Sequence, residues 1–590
     1  MKKVRWDLTA ALLLITLHII AVWGYTGVFW GDIGRWSHEV ERLAHGEMPY
    51  RDFQWHYPPL GLWLEAMAAR VIGTDRAQLS AIASSFAVLI VLTSVRYARQ
   101  VQQRTDAALV AVGLVLALAY AQRIGPPLPM GLYSPGFIVG TLFIALAASF
   151  FVKSLDSEEP RAEDWMGFFA ALAVLCKQDF WIPAAFMVGT SVIRSRRLAP
   201  AIISAAVTAV GVAVIIRLGG VGILLPLAGG FGHAEVAGGQ GLPSWESLTV
   251  DLLVLSLVCG TYALLASLVA RRVYWRPLVV CAVVAAAFGG LHLYMSLQVT
   301  LPAAGEFARP TQSAMAYQLR RGESLLRPAI GWLRQRLGQD PLPVALPLLL
   351  LVAMARRWQS LPAPRRATVA ILLGLAFALR ARRGFQGTEW FEFLFTLPVV
   401  LVAAEMLLAW PDASRRRLRH ATVAVLAVAA VWANWEHGRG AGTKRYSPET
   451  TLTLRGPMHW KQGEARDYHA LLSTLNALDS TGQRPAFAFG VSGGLNYFLK
   501  RRNPFPFTQN FFFSAFNVDS ILQHRPDGVI LIDNRMVGAG SFAAFDWRRW
   551  EGRRVSAPYE PYDRPRFDRL KAGCRAIPND STPFRVYDCP

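Results

Sequence analysis

LTAALLLITLHIIAVWGYTGVFW, residues 8–30, runs directly into GDIGRW, residues 31–36. The first stretch is long enough to cross a bilayer as a helix, which takes roughly 20 residues. The second brings an acid, Asp32, the moment the apolar run ends, so Asp32 is expected at a membrane surface. MKKVRW ahead of the run imitates the start of a signal peptide. The run is longer than the apolar region of such a peptide, however, and no small-residue cleavage site interrupts it before Trp30. It reads as a retained first span with Met1 to Arg5 inside.

The rest of the chain repeats this pattern. Of 590 residues, 53% are hydrophobic, and the formal net charge is +21. Apolar stretches separated by short Arg-rich connections describe a polytopic membrane protein rather than a soluble globule. The basic excess follows from cytoplasmic loops that retain positive charge beside anionic membrane lipids. The arginines alternate with spans instead of forming one patch, which argues against a nucleic-acid partner.

Hydropathy gives about thirteen transmembrane helices. They begin near Leu8, Leu79, Asp106, Gly136, Trp165, Phe180, Pro200, Asp251, Pro277, Pro341, Ala367, Phe391 and Ala421. The loops that should be cytoplasmic read RYARQVQQR, KSLDSEEPRAED, RSRRLAP, RRVYWR, ARRWQSLPAPRR and DASRRRLRH; all but the second carry a clear positive excess. An odd number of spans leaves the tail outside. Residues 1–435 are thus expected to form the membrane domain, with a first outer loop at 31–78, and residues 436–590 an extracytoplasmic domain.

That tail changes to a soluble pattern. RPAFAFG, PDGVILID and FRVYD read as buried strands, with helix-like LNYFLKRR and NVDSILQHR beside them, which gives a small α/β domain large enough for its own core. Cys574 and Cys589 lie close enough in sequence to form a disulfide, which needs an oxidising compartment and agrees with the outward orientation. Cys176, Cys259 and Cys281 lie in apolar runs and read as small core residues.

Three stretches stand out chemically. In the first outer loop Asp32 and Glu39 are seven apart and share a helix face with Trp36; Gly46 ends that helix, and HYPPL is expected to fix an extended return to the membrane. In ALAVLCKQDFWIPAAFMV, Lys177, Gln178 and Asp179 interrupt two short apolar runs. A charge at the bilayer centre costs roughly 2.5 to 3.5 kcal/mol on insertion scales, so a hairpin with the trio at the outer surface is expected. In RARRGFQGTEWFEFLFTLP, Arg380, Arg382 and Arg383 fall on the outer face against the charge rule, and arginine forks match phosphate oxygens.

An acid after the first span, an interfacial helix, GEMPYRDF and YPPL together resemble the first outer loop of the GT-C superfamily of integral membrane glycosyltransferases. The short span, lysine and returning span around Lys177 resemble the same family, as does the order of LNYFLKRRNPFPF and ILQHRPDGVILID in the tail. The resemblance extends over nearly the full length and rests on order and topology. It implies a bacterial inner-membrane protein, GT-C-like, that moves a sugar from a polyprenyl-phosphate donor to a hydroxyl of a lipid, glycan or protein acceptor on the outer face, with inversion at the anomeric carbon.

The resemblance also implies roles. Asp32 would be the base, with Glu39 and Asp52 as supporting acids toward acceptor or metal. Lys177, Arg380, Arg382 and Arg383 would hold the donor phosphate, and Trp36, His56, Tyr57, Gln178 and Asp179 would line the cavity. Some branches of the family use a divalent metal ion and others do not; the outer-loop histidines show no compact ligand spacing, and the metal stays unassigned.

Each residue also has a plain reading: Asp32 as a helix N-cap, Lys177 as a snorkelling lysine, the arginines as headgroup anchors. Two rival functions have some support in the sequence. GVSGG at 490–494 fits a serine-hydrolase elbow, with Asp519 and His524 downstream, but also reads as turn chemistry. A transporter or flippase would suit the span count, yet it concentrates polar groups near the midplane in repeated halves, whereas here they gather at the outer ends of spans.

Overall fold

The computed structural model describes residues 32–53, 55, 57–101, 135–156, 159–177, 180–219, 362–380, 451–458, 464–489, 493–505, 525–534, 567–578 and 584–590, with a few isolated positions near 8–23 and 282–287. Its helices are α1 (Asp32–Ala44), α2 (Leu60–Ile72), α3 (Arg76–Val101), α4 (Pro135–Asp156), α5 (Pro160–Val174), α6 (Trp181–Ser195), α7 (Ala199–Gly219) and α8 (Ala363–Arg380). The tail adds β1 (Thr451–Thr453), β2 (Gly456–Met458), α9 (Glu464–Leu478), β3 (Ala486–Phe489), α10 (Gly493–Phe498), β4 (Ile530–Asn534), β5 (Arg575–Ile577) and β6 (Phe584–Asp588).

Among the described residues three helices are long and apolar enough to cross a membrane: Arg76–Tyr97, Gly136–Leu155 and Ala199–Gly219. These match the spans expected from Leu79, Gly136 and Pro200. The spans expected from Asp106, Asp251, Pro277, Pro341, Phe391 and Ala421 lie outside the described residues, as does most of the first. α7 is apolar all round and leaves Ile202 and Val210 exposed, as a helix facing lipid should.

α5 and α6 have 15 residues each, about 22 Å at 1.5 Å per residue, short of the ~30 Å hydrocarbon core. They form the hairpin that KQD predicts. One core joins the bundle, with Ile90 and Val91 of α3, Phe137 and Phe151 of α4, Met166 and Ala170 of α5, Met187 of α6 and Leu375 of α8 all buried.

The acidic connection KSLDSEEPRAED breaks the positive pattern, and its contacts explain why that is tolerated. Lys153 Nζ lies 2.5 Å from Glu159, Arg197 bonds Glu163 at 3.2 Å and Asp164 at 3.3 Å, and Arg194 donates to the carbonyls of Ser154 and Leu155. The α4–α5 and α6–α7 connections therefore sit at one end of the bundle and share their charges.

At the opposite end of α5 and α6 the chain departs from expectation. After Tyr57 it does not return extended to the membrane: Pro58 and Pro59 lead into α2, a further helix of 13 residues. α2 buries Leu62, Ala66 and Ala69 against α1 and the tail, and Leu60 N–H donates to Leu175 O of the hairpin at 3.0 Å.

The tail's sheet has the order β3-β4-β6-β5, with β3 and β4 parallel and the remaining pairs antiparallel. β5 and the β1–β2 hairpin were not foreseen, and NVDSILQHR lies outside the described residues. Strand alternation divides the sheet into two buried faces. Ala486, Ala488, Ile530, Ile532, Phe584 and Val586 point to one core, with Tyr468, Leu471 and Leu475 of α9. Phe487, Leu531 and Tyr587 point to the other, with Phe505, Phe567 and Leu570. Burial on both sides is why GVILI reads as a continuous apolar run. Cys574 and Cys589 are joined by a disulfide beside this second core.

The first of these cores is not the tail's own. It also contains Trp36, Val40 and Leu43 of α1, Phe53 and Trp55 of the following loop, and Leu62 and Ala66 of α2. The tail thus has one core of its own, around Phe487, Leu531 and Tyr587, and shares the other with α1, α2 and the loop between them.

Candidate functional site

α1 carries the sequence DIGRWSHEVERLA, polar for a buried element, yet Arg35, Ser37, His38, Glu39 and Arg42 are all less than a tenth exposed. Arg35 and Glu39, one turn apart, face each other at 3.8 Å, and the Arg35 guanidinium lies 4.0 Å from the Trp36 ring centre. The helix stops where Gly46 takes a φ of 97°, a left-handed turn that a side chain would strain. Arg42 then holds the returning loop: it donates to Glu47 at 2.6 Å, to Asp52 O at 3.1 Å and to Phe505 O of the tail at 3.3 Å.

That return places three aromatic rings together. Trp36 lies 5.5 Å from Trp55 and 5.8 Å from Tyr57, and Trp55 and Tyr57 are 5.7 Å apart. The Tyr50 hydroxyl donates to Tyr57 O and fixes the loop.

The tip of the α5–α6 hairpin meets this cluster. Lys177 Nζ stands 5.1 Å from the Tyr57 ring centre and 5.2 Å from that of Phe137, within range of cation–π attraction. Lys177 is 4% exposed, covered by the loop that carries Tyr57. Two glycines of α4 make room for the tip. A Cβ on Gly136 would stand 2.5 Å from Cys176 O, and one on Gly140 would stand 2.2 Å from the Phe180 ring.

Of the residues singled out in the sequence, Trp36, Tyr57 and Lys177 come together, and Glu39 shares the helix of Trp36. Asp32 is the first residue of α1; with the spacing of a helix it falls on the Trp36 and Glu39 side. Its side chain lies outside the described residues, as do that of Arg380, the last residue of α8, and His56, Gln178, Asp179, Arg382 and Arg383 altogether.

The two further acids are both engaged. Glu39 is buried against Arg35. Asp52 accepts from Met48 N–H at 2.7 Å and pairs with Arg51 at 2.6 Å; the Arg51 guanidinium holds its carboxyl below the usual range. Asp52 thus closes the loop. No group of three or more His, Cys, Asp or Glu is placed to hold a metal among the described residues.

Sequence reading missed several groups. Glu65 of α2 is buried, its Oε1 has no hydrogen-bond partner among the described residues, and burial pushes its carboxyl up to about 8. His38 is buried and lowered by desolvation despite its neighbour Glu41. Burial alone would raise Glu41, but His38 and Arg455 outweigh it and hold the carboxyl below its ordinary value. In the tail Asp479 is drawn well down by the Thr481 hydroxyl, Arg484 N–H and Arg501.

No family model matches the sequence, and no curated protein matches it. Among solved structures the chain is similar to ArnT and to archaeal oligosaccharyltransferase. ArnT from Cupriavidus metallidurans, bound to undecaprenyl phosphate, is 12% identical over 99% of this chain and 98% of its own, with a TM-score of 0.42. The Archaeoglobus fulgidus oligosaccharyltransferase in its apo form is 14% identical over 94% of this chain and 72% of its own, with a TM-score of 0.48. AglB from Archaeoglobus fulgidus, in complex with an inhibitory peptide and a dolichol-phosphate, is 13% identical over 92% and 71%, with a TM-score of 0.45.

Proposed function

We propose that the protein is a GT-C-type membrane glycosyltransferase that moves a sugar from a polyprenyl-phosphate donor to a hydroxyl acceptor on the outer face of a bacterial inner membrane. The observation that carries this reading is the burial of the Lys177 ammonium against Tyr57, on the aromatic cluster that adjoins the Asp32 face of α1. A cation held at the end of two short helices, together with the acid that opens α1, supplies both charges that glycosyl transfer needs.

In the reaction the acceptor oxygen attacks the anomeric carbon and its proton passes to the Asp32 carboxylate. The new glycosidic C–O bond forms as the bond from that carbon to the phosphate oxygen breaks. The leaving polyprenyl phosphate takes the bonding electron pair, and its charge is met by Lys177, with Arg380, Arg382 and Arg383 as the further cations. Back-side attack inverts the anomeric carbon. Tyr57, the partly exposed ring of the cluster, offers flat apolar surface for a sugar ring or a prenyl chain, with Trp36 and Trp55 buried behind it.

Purified protein in detergent, given a radiolabelled polyprenyl-phosphate sugar and a panel of lipid, glycan and peptide acceptors, tests the reading. Label appearing on an acceptor, with free polyprenyl phosphate released in equal amount, supports it. A protein that moves the lipid across vesicles but transfers no sugar in detergent would be a transporter, and the reading would fall.

A further inference from the structure

The tip of the β1–β2 hairpin carries Arg455, a residue from the far end of the chain that reaches into the outer loop. Its turn is preset: Thr453 Oγ1 accepts from Arg455 N–H at 3.1 Å and donates to Gly456 O at 2.8 Å, and Gly456 adopts a φ of 104°. The side chain is 5% exposed. Its guanidinium donates through Nε to Tyr497 O at 2.7 Å, and through its two terminal amino groups to Glu41 Oε1 at 2.5 Å and Asp75 Oδ1 at 3.3 Å; its plane lies 4.4 Å from the Tyr497 ring centre. Arg455 O in turn accepts from Arg76 N–H at 3.2 Å. One residue thus ties α1, the α2–α3 connection and α10 together.

Where it grips α1 matters. Glu41 lies nine positions after Asp32, about two and a half helical turns, hence on the opposite side of the helix. His38, 3.7 Å from Glu41, continues that side. A helix of 13 residues held on this side by a forked, three-armed cation has its rotation fixed, and with it the direction in which its other side looks.

We infer that Arg455 is a positioning residue: from the tail it sets the rotation of α1, and thereby aligns the Asp32, Trp36 and Glu39 side with Tyr57 and Lys177. This rests on the proposal that transfer occurs on that side. Arginine suits the task because its planar fork fixes direction where a lysine gives only a point charge. Removing one partner of a buried pair leaves the other stranded, whereas removing both is far milder.

The test compares full-length R455M, R455K, E41Q and the R455M/E41Q double variant in detergent. It reads kcat and KM for the lipid-linked sugar, together with hydrogen exchange across residues 34–44 and across α4 and α5. R455M should lower kcat by up to about a hundredfold, the scale of a misplacement of about 1 Å, with donor KM nearly unchanged and faster exchange in 34–44 only. R455K should recover part of kcat. The double variant should regain thermal stability over R455M without regaining kcat. Wild-type kcat in R455M would overturn the inference, as would kcat that recovers in the double variant in step with stability, since that marks a structural staple alone. If R455M fails to fold, R455K and the double variant decide by the same criteria. A wild-type protein without transfer would refute the proposed function instead, and exchange confined to 34–44 would still report whether Arg455 holds α1.

Discussion

The Lys177 ammonium lies 5.1 Å from the centre of the Tyr57 ring, although the two residues are separated by several helices in the chain. The contact joins the hairpin of two short helices to the loop that follows α1, and it buries the cation to which the proposed function assigns the donor phosphate. Replacing Lys177 by Met keeps the stem and removes the charge. Transfer should fall by about 10²–10³, the usual effect of losing one donor to a developing anion, with thermal melting as the check that the variant is folded. Activity close to wild type would show that Lys177 only packs.

Gly136 gives a test of the same site from its floor. An alanine there would bring Cβ to 2.5 Å from Cys176 O, and backbone on both sides leaves little room to relax. G136A is expected to cost about 1–3 kcal/mol as an overpacked core position and to reduce transfer further by lifting the Lys177 tip. Unfolding in detergent and the transfer assay, run side by side, check both effects; a variant with wild-type values in each would contradict the close packing.

Glu65 makes a prediction about pH. Its carboxyl ionises near 8 in the folded protein against an ordinary value of 4.5, so between these values the folded state keeps a proton that the unfolded state has released. Stability therefore falls as pH rises from about 4.5 and levels off above 8. The range corresponds to a few kcal/mol, about 5 at most. E65Q stays neutral throughout, so it should be the more stable form at pH 8.5 and show a flatter profile. Parallel melting curves at pH 5.5 and 8.5 would contradict this if the variant and wild type kept the same difference.

The disulfide joins residues separated by 15 positions, a loop for which chain-entropy reasoning gives about 3 kcal/mol. C574S/C589S should lower the stability of the tail by up to that amount. Because the tail shares its core with α1 and α2, hydrogen exchange in residues 34–44 should rise as well. Exchange that rises in the tail while α1 stays protected would contradict the shared core.

The parts of the fold that lie in lipid were legible because bilayer physics acts on composition: an apolar run of sufficient length must become a helix, as α3, α4 and α7 do. The α5–α6 hairpin was legible for the same reason, since Lys177, Gln178 and Asp179 cannot stay at mid-bilayer. Gly46 marked the end of α1 because a left-handed turn leaves few other choices. The burial of α1 was not legible. Its charged side chains carry no sequence sign of burial, and only a partner 414 residues away, Arg455, together with the aromatic return after Arg42, makes Glu41 and its neighbours tolerable inside. α2 was hidden by the prolines ahead of it, which were read as an extended path when they also serve to start a helix. Glu65 sits in that unforeseen helix, so its altered acidity had no sequence signal. β5 and the β1–β2 hairpin have strands of three residues each, too short for alternation to distinguish them from loop.

The claim at the centre is that the acid opening α1 receives the acceptor proton while the hairpin cation holds the departing phosphate. A single-turnover assay with purified D32N and a labelled polyprenyl-phosphate sugar tests it most directly, with thermal melting as the check on folding. The account predicts a folded protein that still binds the donor yet transfers sugar at least about a hundredfold more slowly. A folded D32N protein that transfers sugar at the wild-type rate would contradict it.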